Sequence, residues 1–362
     1  MTTIAGIEVD LDRDLPAADG ELWYTRCPIP TAFEVALERG TLAGALGDAG
    51  LAWRQLAESA DPAVHQSHFT HRQASSFRHG GNVPAIWARS RGADTRVIAV
   101  SWPQVSYPVL TLPGSGIATA ADLAGRRLLV PRRPEVAIDF WRASTLRVYD
   151  AALRSAGLTF DDVELVERTG ETHRIFDAST ATDEGRARWA LADRHGFTRA
   201  ILEPLVRGEV DAVTAQGTLA EELRALLDAR VVYEQVDEPD RAVRANNGTP
   251  DVLTVSGRLA DEHPERVALV VGRLLEAAAW GREHPDEALR LFSERLQTPR
   301  ALLELGYRTP IPAALELSLP DDTADVLRAQ QAFLLEHGFI DAPFDVEAWI
   351  DPRPLELARA AA

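Results

Sequence analysis

Short apolar runs of strand length alternate with longer amphipathic runs from Leu22 to Tyr233, and this alternation restricts the chain to an α/β architecture. Residues 51–56, 96–102, 162–167, 210–214, 230–233 and 251–256 read as strands, and 31–42, 83–90, 139–156, 186–195 and 220–227 as helices, with 169–185 as loop. The spacing predicts parallel sheets. Residues 101–116 contain Pro103, Pro108, Pro113, Gly114 and Gly116, a density of chain breakers that predicts a crossover between domains. Beyond residue 256 the pattern is helical, at 264–284, 285–298, 300–306 and 323–337, and these helices are expected to cap the first lobe and latch a cleft. The expected division is a discontinuous first lobe of residues 1–116 and 229–362 and a second α/β lobe of residues 117–228. A chain of 362 residues is long enough for two such cores.

Charge removes several function classes. The net charge is −17, so no basic face is available for phosphate backbones, and neither nucleic acid nor membrane is expected as a partner. All 38 basic side chains of the Lys and Arg class are arginine. Without lysine there is neither a Walker A loop nor a Schiff-base lysine. The first twenty residues are acidic and lack an apolar run after a basic start, unlike a secretory leader, and no stretch approaches the ~18 apolar residues of a membrane span. A single cysteine cannot form an internal disulfide, which points to a reducing compartment, the cytoplasm.

That cysteine, Cys27, lies in Tyr24-Thr25-Arg26-Cys27-Pro28-Ile29-Pro30. The two prolines fix φ at two of the three following positions and bias Cys27 and Ile29 away from helix, which makes a rigid platform. A thiol attacks only as thiolate, so a base or a cation is expected beside it, with some help from the N-terminus of the following helix. Residues 68–84 offer such groups: His68, His71, Arg72, Arg78 and His79, then Gly80-Gly81, whose backbone amides no Cβ shields. His65, His68 and His71 are spaced by three, which on a helix would stack them. Phe69-Thr70 favours strand instead, and no carboxylate lies in the run, so no metal site is expected. No Gly-x-Ser-x-Gly elbow is present either.

Cys27-Pro28-Ile29-Pro30, then His68-Phe69-Thr70, then Arg78-His79-Gly80-Gly81-Asn82-Val83-Pro84 resemble the hydroxybiphenyl-sulfinate desulfinase family of bacterial thiophene desulfurisation. The resemblance extends through residues 120–127, 161–166, 208–212 and 330–335. Asp122-Leu123-Ala124-Gly125-Arg126 before a strand, and Gly208-Glu209-Val210-Asp211-Ala212, also resemble type II periplasmic-binding-protein folds at the entry to and return from their second lobe. The resemblance implies an α/β, two-lobed type II periplasmic binding protein-like fold with its cleft between the lobes. It also implies an active site of Cys27, His68 and Arg78, with Gly81 as an amide donor, Gln73 as a second-shell or binding group, and Trp141 in the pocket wall.

The implied activity is cofactor-independent hydrolysis of the C–S bond of an aromatic or related organic sulfinate, releasing sulfite, by a protein acting as a monomer. Cys27 would either attack sulfur or protonate the ipso carbon. The alternative is a solute-binding protein for a sulfonate or sulfinate in which Cys27 takes no part. Residues 214–219, Thr-Ala-Gln-Gly-Thr-Leu, would bring small and polar groups to the cleft, so the pocket need not hold a biphenyl.

Overall fold

Leu22 and the runs at 51–56, 96–102 and 251–256 are brought together in one sheet, whose inner strands at 76–81 and 251–256 are almost wholly buried while only Gln55 of the edge strand 52–55 is buried. In the computed structural model, which describes residues 1–4, 6–170, 196, 198–308 and 310–361, a short hairpin of β1 (Thr2–Ile4) and β2 (Ile7–Val9) leads into β3 (Glu21–Thr25). The chain continues through helices α1 (Ala32–Glu38) and α2 (Thr41–Asp48), β4 (Ala52–Gln55), α3 (Pro62–Thr70), β5 (Ser76–Gly81), α4 (Asn82–Ser90) and β6 (Thr95–Ser101). It then crosses through β7 (Pro108–Thr111) into β8 (Arg127–Arg132), α5 (Phe140–Ser155) and β9 (Glu164–Thr169). After β10 (Val213–Thr214), the helix Thr218–Leu227 and β11 (Arg230–Glu234), it re-enters the first lobe as β12 (Asp251–Ser256).

The five-stranded sheet has the order β4-β3-β5-β12-β6. The all-parallel sheet that the spacing predicts is not what forms: β3 runs parallel to β4 and β5, but β12 runs antiparallel to both of its neighbours. Alternation in sequence reports that helices separate strands; it does not report the direction in which a chain returning from another lobe enters the sheet. All six residues of β12 are buried, as expected for a central strand covered on both faces.

The helix expected at 31–42 ends at Glu38, because Gly40 adopts φ +69° and starts a second helix. The strand expected around Phe69-Thr70 is the helix α3, with Asp61 as N-cap accepting from the Ala63 amide at 2.9 Å, Pro62 at its first position, and His71 closing it at φ 53°. Capping outweighed the local strand preference of Phe and Thr. Gly80 and Gly81 are the last two residues of β5. The expected helix at 186–195 and nearly all of the loop at 169–185 lie outside the described residues.

In the second lobe β8 pairs with β9 in parallel, and β7 lies between β10 and β11, antiparallel to each. Leu110, Leu129, Ile201, Leu205, Val213, Ala220 and Leu223 form a core of their own there. The β7 ladder therefore joins segments from both sides of the expected division at residues 116 and 228. The helices Pro285–Arg295 and Arg300–Tyr307 reach the space between the lobes. Among the described residues no helix is long and apolar enough to cross a membrane.

Candidate active site

A cavity of about 300 Å³ opens between the lobes. Cys27, His68, Arg78 and Gly81 line it from the first lobe, Trp141 and residues 216–219 from the second, and Phe292, Arg295 and Tyr307 from the C-terminal helices.

Cys27 follows β3. Its carbonyl accepts from the Ile29 amide at 2.8 Å, so the Pro28 turn closes on itself immediately after the thiol. The thiol is 9% exposed and rests on Gly80, where a Cβ would overlap its Sγ. That same Cβ position lies 3.3 Å from Arg78 Nη2, so sulfur and guanidinium flank one glycine of β5. Glycine is demanded at 80 by this approach and at 81 by the Asn247 amide, whose Oδ1 would stand 2.5 Å from a Cβ there; neither has a positive φ.

His68 lies in the last turn of α3. Its Nε2 is 3.8 Å from Cys27 Sγ and its Nδ1 is 2.7 Å from Thr25 Oγ1, on the strand that delivers the cysteine. The result is a buried Thr25–His68–Cys27 chain. Arg78 donates from Nη1 to the Gly81 carbonyl at 2.9 Å, while its Nε has no hydrogen-bond partner among the described residues. A buried guanidinium with donors to spare is suited to an oxyanion.

The electrostatics favour neutral partners around one cation. Burial pushes the Cys27 thiol up to about 11; Arg78 pulls against this, and Asp251 and Glu34 add to it. The ionisation expected from the sequence is thus outweighed by desolvation. Burial, then Arg78, holds His68 well below the usual imidazole range, and the same two causes bring His71 and His79 to about 3. His65, His68 and His71 do not converge: His65 bonds the Ser59 carbonyl and His71 the Phe69 carbonyl. Among the described residues no group of three or more His, Cys, Asp or Glu is placed to hold a metal ion.

Gln73 lies outside the cavity. Its amide donates to the Pro16 carbonyl at 2.9 Å, and its backbone amide donates to Ser67 Oγ at 2.6 Å, so it braces the end of α3. At Gly81 the local amides are largely taken: Asn82 N donates to the Asn247 carbonyl at 2.8 Å and Val83 N to Asn247 Oδ1 at 3.1 Å. Trp141 stands at the start of α5 beside Phe140, whose ring stacks on Phe69 of α3 with centroids 6.2 Å apart, so the two lobes touch through aromatic rings at the cavity. Gln216, Gly217, Thr218 and Leu219 line the wall, as residues 214–219 led us to expect.

Three contributors escaped the sequence reading. Arg26 forms a forked pair with Glu34 and reaches Glu38, and Arg295 joins both carboxylates, at 3.6 and 3.1 Å. This buried cluster ties the cysteine turn to α1 and to the helix Pro285–Arg295. Asn247 and Asp251 come from the returning segment. An Arg in the turn after β3 and a Glu eight residues on, within α1, give no signal of a pair, and polar residues near β12 have no periodicity to mark them.

No protein-family model matches the chain. It is 27% identical over 364 residues to the 2'-hydroxybiphenyl-2-sulfinate desulfinases of Rhodococcus erythropolis and Rhodococcus qingshengii, covering 91% of this chain and 91% of each relative. The resemblance carried by the motifs thus holds along nearly the whole sequence. Among solved structures, a cysteine-to-serine variant of the desulfurisation enzyme DszB in complex with biphenyl-2-sulfinic acid superposes with a TM-score of 0.70 at 23% identity, covering 94% of this chain and 99% of that one. The aliphatic sulphonate-binding protein SsuA of Escherichia coli gives 0.64 at 17% identity, covering 92% of both chains. The fold is therefore the two-lobed type II periplasmic-binding-protein fold, with its cavity between the lobes.

Proposed function

We propose that the protein is a desulfinase that cleaves the C–S bond of an aromatic or related organic sulfinate without a cofactor, with Cys27, His68 and Arg78 as its working groups. The observation that carries this reading is their convergence: residues from the turn after β3, from α3 and from β5 meet at one cavity in a chain similar to sulfinate desulfinases over 91% of its length. Arg78 holds the sulfinate group with its charged planar guanidinium, and the surrounding Phe69, Phe140, Trp141 and Phe292 receive the ring. The Gly81 amide is a further donor to the same oxygens.

Cys27 acts as a proton donor. A thiol held neutral to about pH 11 has its proton available at neutral pH and is a poor thiolate nucleophile. Ring π electrons take the thiol proton at the ipso carbon; the C–S bond then breaks, its electron pair restoring the ring, and sulfur dioxide leaves. Water adds to sulfur dioxide to give bisulfite and a proton, and the proton restores the thiol. The balance is sulfinate plus water giving arene plus bisulfite. With the Thr25 hydroxyl donating to His68 Nδ1, Nε2–H points at Sγ and stabilises the thiolate as it forms. A thiol that must stay reduced suits the cytoplasm.

The likeness to sulphonate-binding proteins supports a second reading, capture without cleavage. The test is sulfite release from benzenesulfinate and biphenyl-2-sulfinate by the purified protein and its Cys27→Ser variant. Release by the wild type and its loss in the variant are expected; tight binding with no sulfite from the wild type would leave the binding-protein reading.

A further inference from the structure

Asp251 lines the cavity at the start of β12, opposite Gly81 on β5 and Ser101 on β6, and is 2% exposed. Its carboxyl makes no hydrogen bond or ion pair among the described residues, and Oδ1 is completely buried without a partner. An isolated buried carboxylate is costly, and one left without donors is more so. Arg78 lines the same cavity with donor capacity to spare: among the described residues its Nε has no partner and no carboxylate stands within ion-pair distance. A cation and a carboxyl that share a cavity without closing on each other form a split pair, which a ligand between them completes.

The chemistry of the split pair defines the ligand. Against Arg78 alone, any anion would serve. Beside an ionised Asp251 an anion would be repelled, but a protonated carboxyl adds an O–H donor. A fork and one hydroxyl together fit a singly charged group with two terminal oxygens. We propose that Asp251 binds substrate as a neutral carboxylic acid, donating to one oxygen of a monoanionic XO2 group whose other oxygen Arg78 holds, so that binding is coupled to one proton. This rests on the desulfinase reading for the identity of X as sulfur. The titratable groups facing Asp251 are Arg78 from β5, Cys27 from the turn after β3, Tyr107 ahead of β7 and Tyr307 from the helix Arg300–Tyr307. His79, on the adjacent strand, is turned to Ser101 Oγ at 3.0 Å. Burial moves the Asp251 carboxyl well above the usual carboxylate range, with Arg78 opposing, which agrees with a proton retained at neutral pH.

The experiment is calorimetric titration of benzenesulfinate into the Cys27→Ser protein, which removes both turnover and the thiol's own titration, in two buffers of different ionisation enthalpy from about pH 6 to about pH 10. Above the Asp251 titration, uptake of one proton per ligand is expected, with affinity falling about tenfold per pH unit. Asp251→Asn, whose amide keeps an N–H donor, should abolish uptake and slope while holding the neutral-pH affinity within a few-fold. Flat affinity with no proton exchange, uptake that persists in Asp251→Asn, or no sulfinate binding would overturn the proposal. If the Asn variant does not fold, the two-buffer measurement on Cys27→Ser decides alone. Proton-coupled binding without sulfite release by the wild type would sink the desulfinase reading and leave this one standing; sulfite release with proton-independent binding would do the reverse.

Discussion

The Sγ of Cys27 occupies the space that a Cβ on residue 80 would fill, so Gly80 is the seat of the thiol. Gly80→Ala forces the cysteine turn or the strand to give way. The turn is stiffened by two prolines and β5 is central in its sheet, so neither yields cheaply. Overpacking of this kind costs about 1–3 kcal/mol, and a shift of ~1 Å in a reacting atom costs on the order of 10²-fold in rate. Thermal unfolding of the variant together with its rate of sulfite release checks this; normal release would show that the thiol need not rest on β5.

Thr25→Val keeps the shape of the side chain but removes the hydroxyl that bonds His68 Nδ1 at 2.7 Å. A buried ring nitrogen is then left without its partner, at about 1–3 kcal/mol. We expect kcat to fall roughly tenfold with KM nearly unchanged, since the Thr25 hydroxyl is committed to the imidazole. A rise in KM alone would show that His68 serves binding.

Arg78→Ala should lower kcat/KM by roughly 10²–10³, the usual loss when a group holding developing or resident oxyanion charge is removed. Lysine at 78 restores charge without the fork, and it lacks the planar geometry that bonds the Gly81 carbonyl at 2.9 Å, so rescue should be partial. Initial-rate kinetics of the two variants decide; wild-type kinetics in the alanine variant would place the anion elsewhere.

Two pH limits follow from the buried groups. His71 and His79 titrate near 3 when folded and near ~6.5 when unfolded, so their stabilisation is present above the unfolded value and is lost as pH falls. At pH ~5 each contributes a loss on the order of 2 kcal/mol. At the alkaline end the thiol is raised to about 11, so its share is complete below its unfolded value near ~8.5 and disappears as pH climbs through 11. Chemical denaturation across pH should show both slopes. The proton-donor reading adds that the rate does not rise through pH ~8.5; a rate that climbs there with thiolate fraction would argue for nucleophilic attack.

That Cys27, His68 and Arg78 line one cavity was legible because they sit in motifs whose residue types suggest a shared chemistry. Their support was less legible. Asn247 reaches Val83 across 164 residues of chain, and Glu234 accepts from the Tyr107 amide across 127, contacts that only the folded crossing between lobes creates. Gly80-Gly81 were visible as a pair, but a turn is the ordinary use of two glycines, and the sulfur that forbids a side chain at 80 comes from the turn after β3. Gln73 lies within a run of chemically capable residues, but its amide is committed to the Pro16 carbonyl, a long-range contact that sequence spacing does not reveal. The direction of β12 was invisible because strand patterns carry no polarity.

Arg78 and Gly80 are two residues apart on β5 and face the same side, so the guanidinium and the seat of the thiol are carried by a single strand. Their separation is fixed within one lobe, whatever angle the other lobe adopts. Phe140, Trp141 and residues 216–219 line the other side of the cavity. An engineer seeking a different sulfinate can therefore diversify that wall freely, because the reacting atoms hold their register without it.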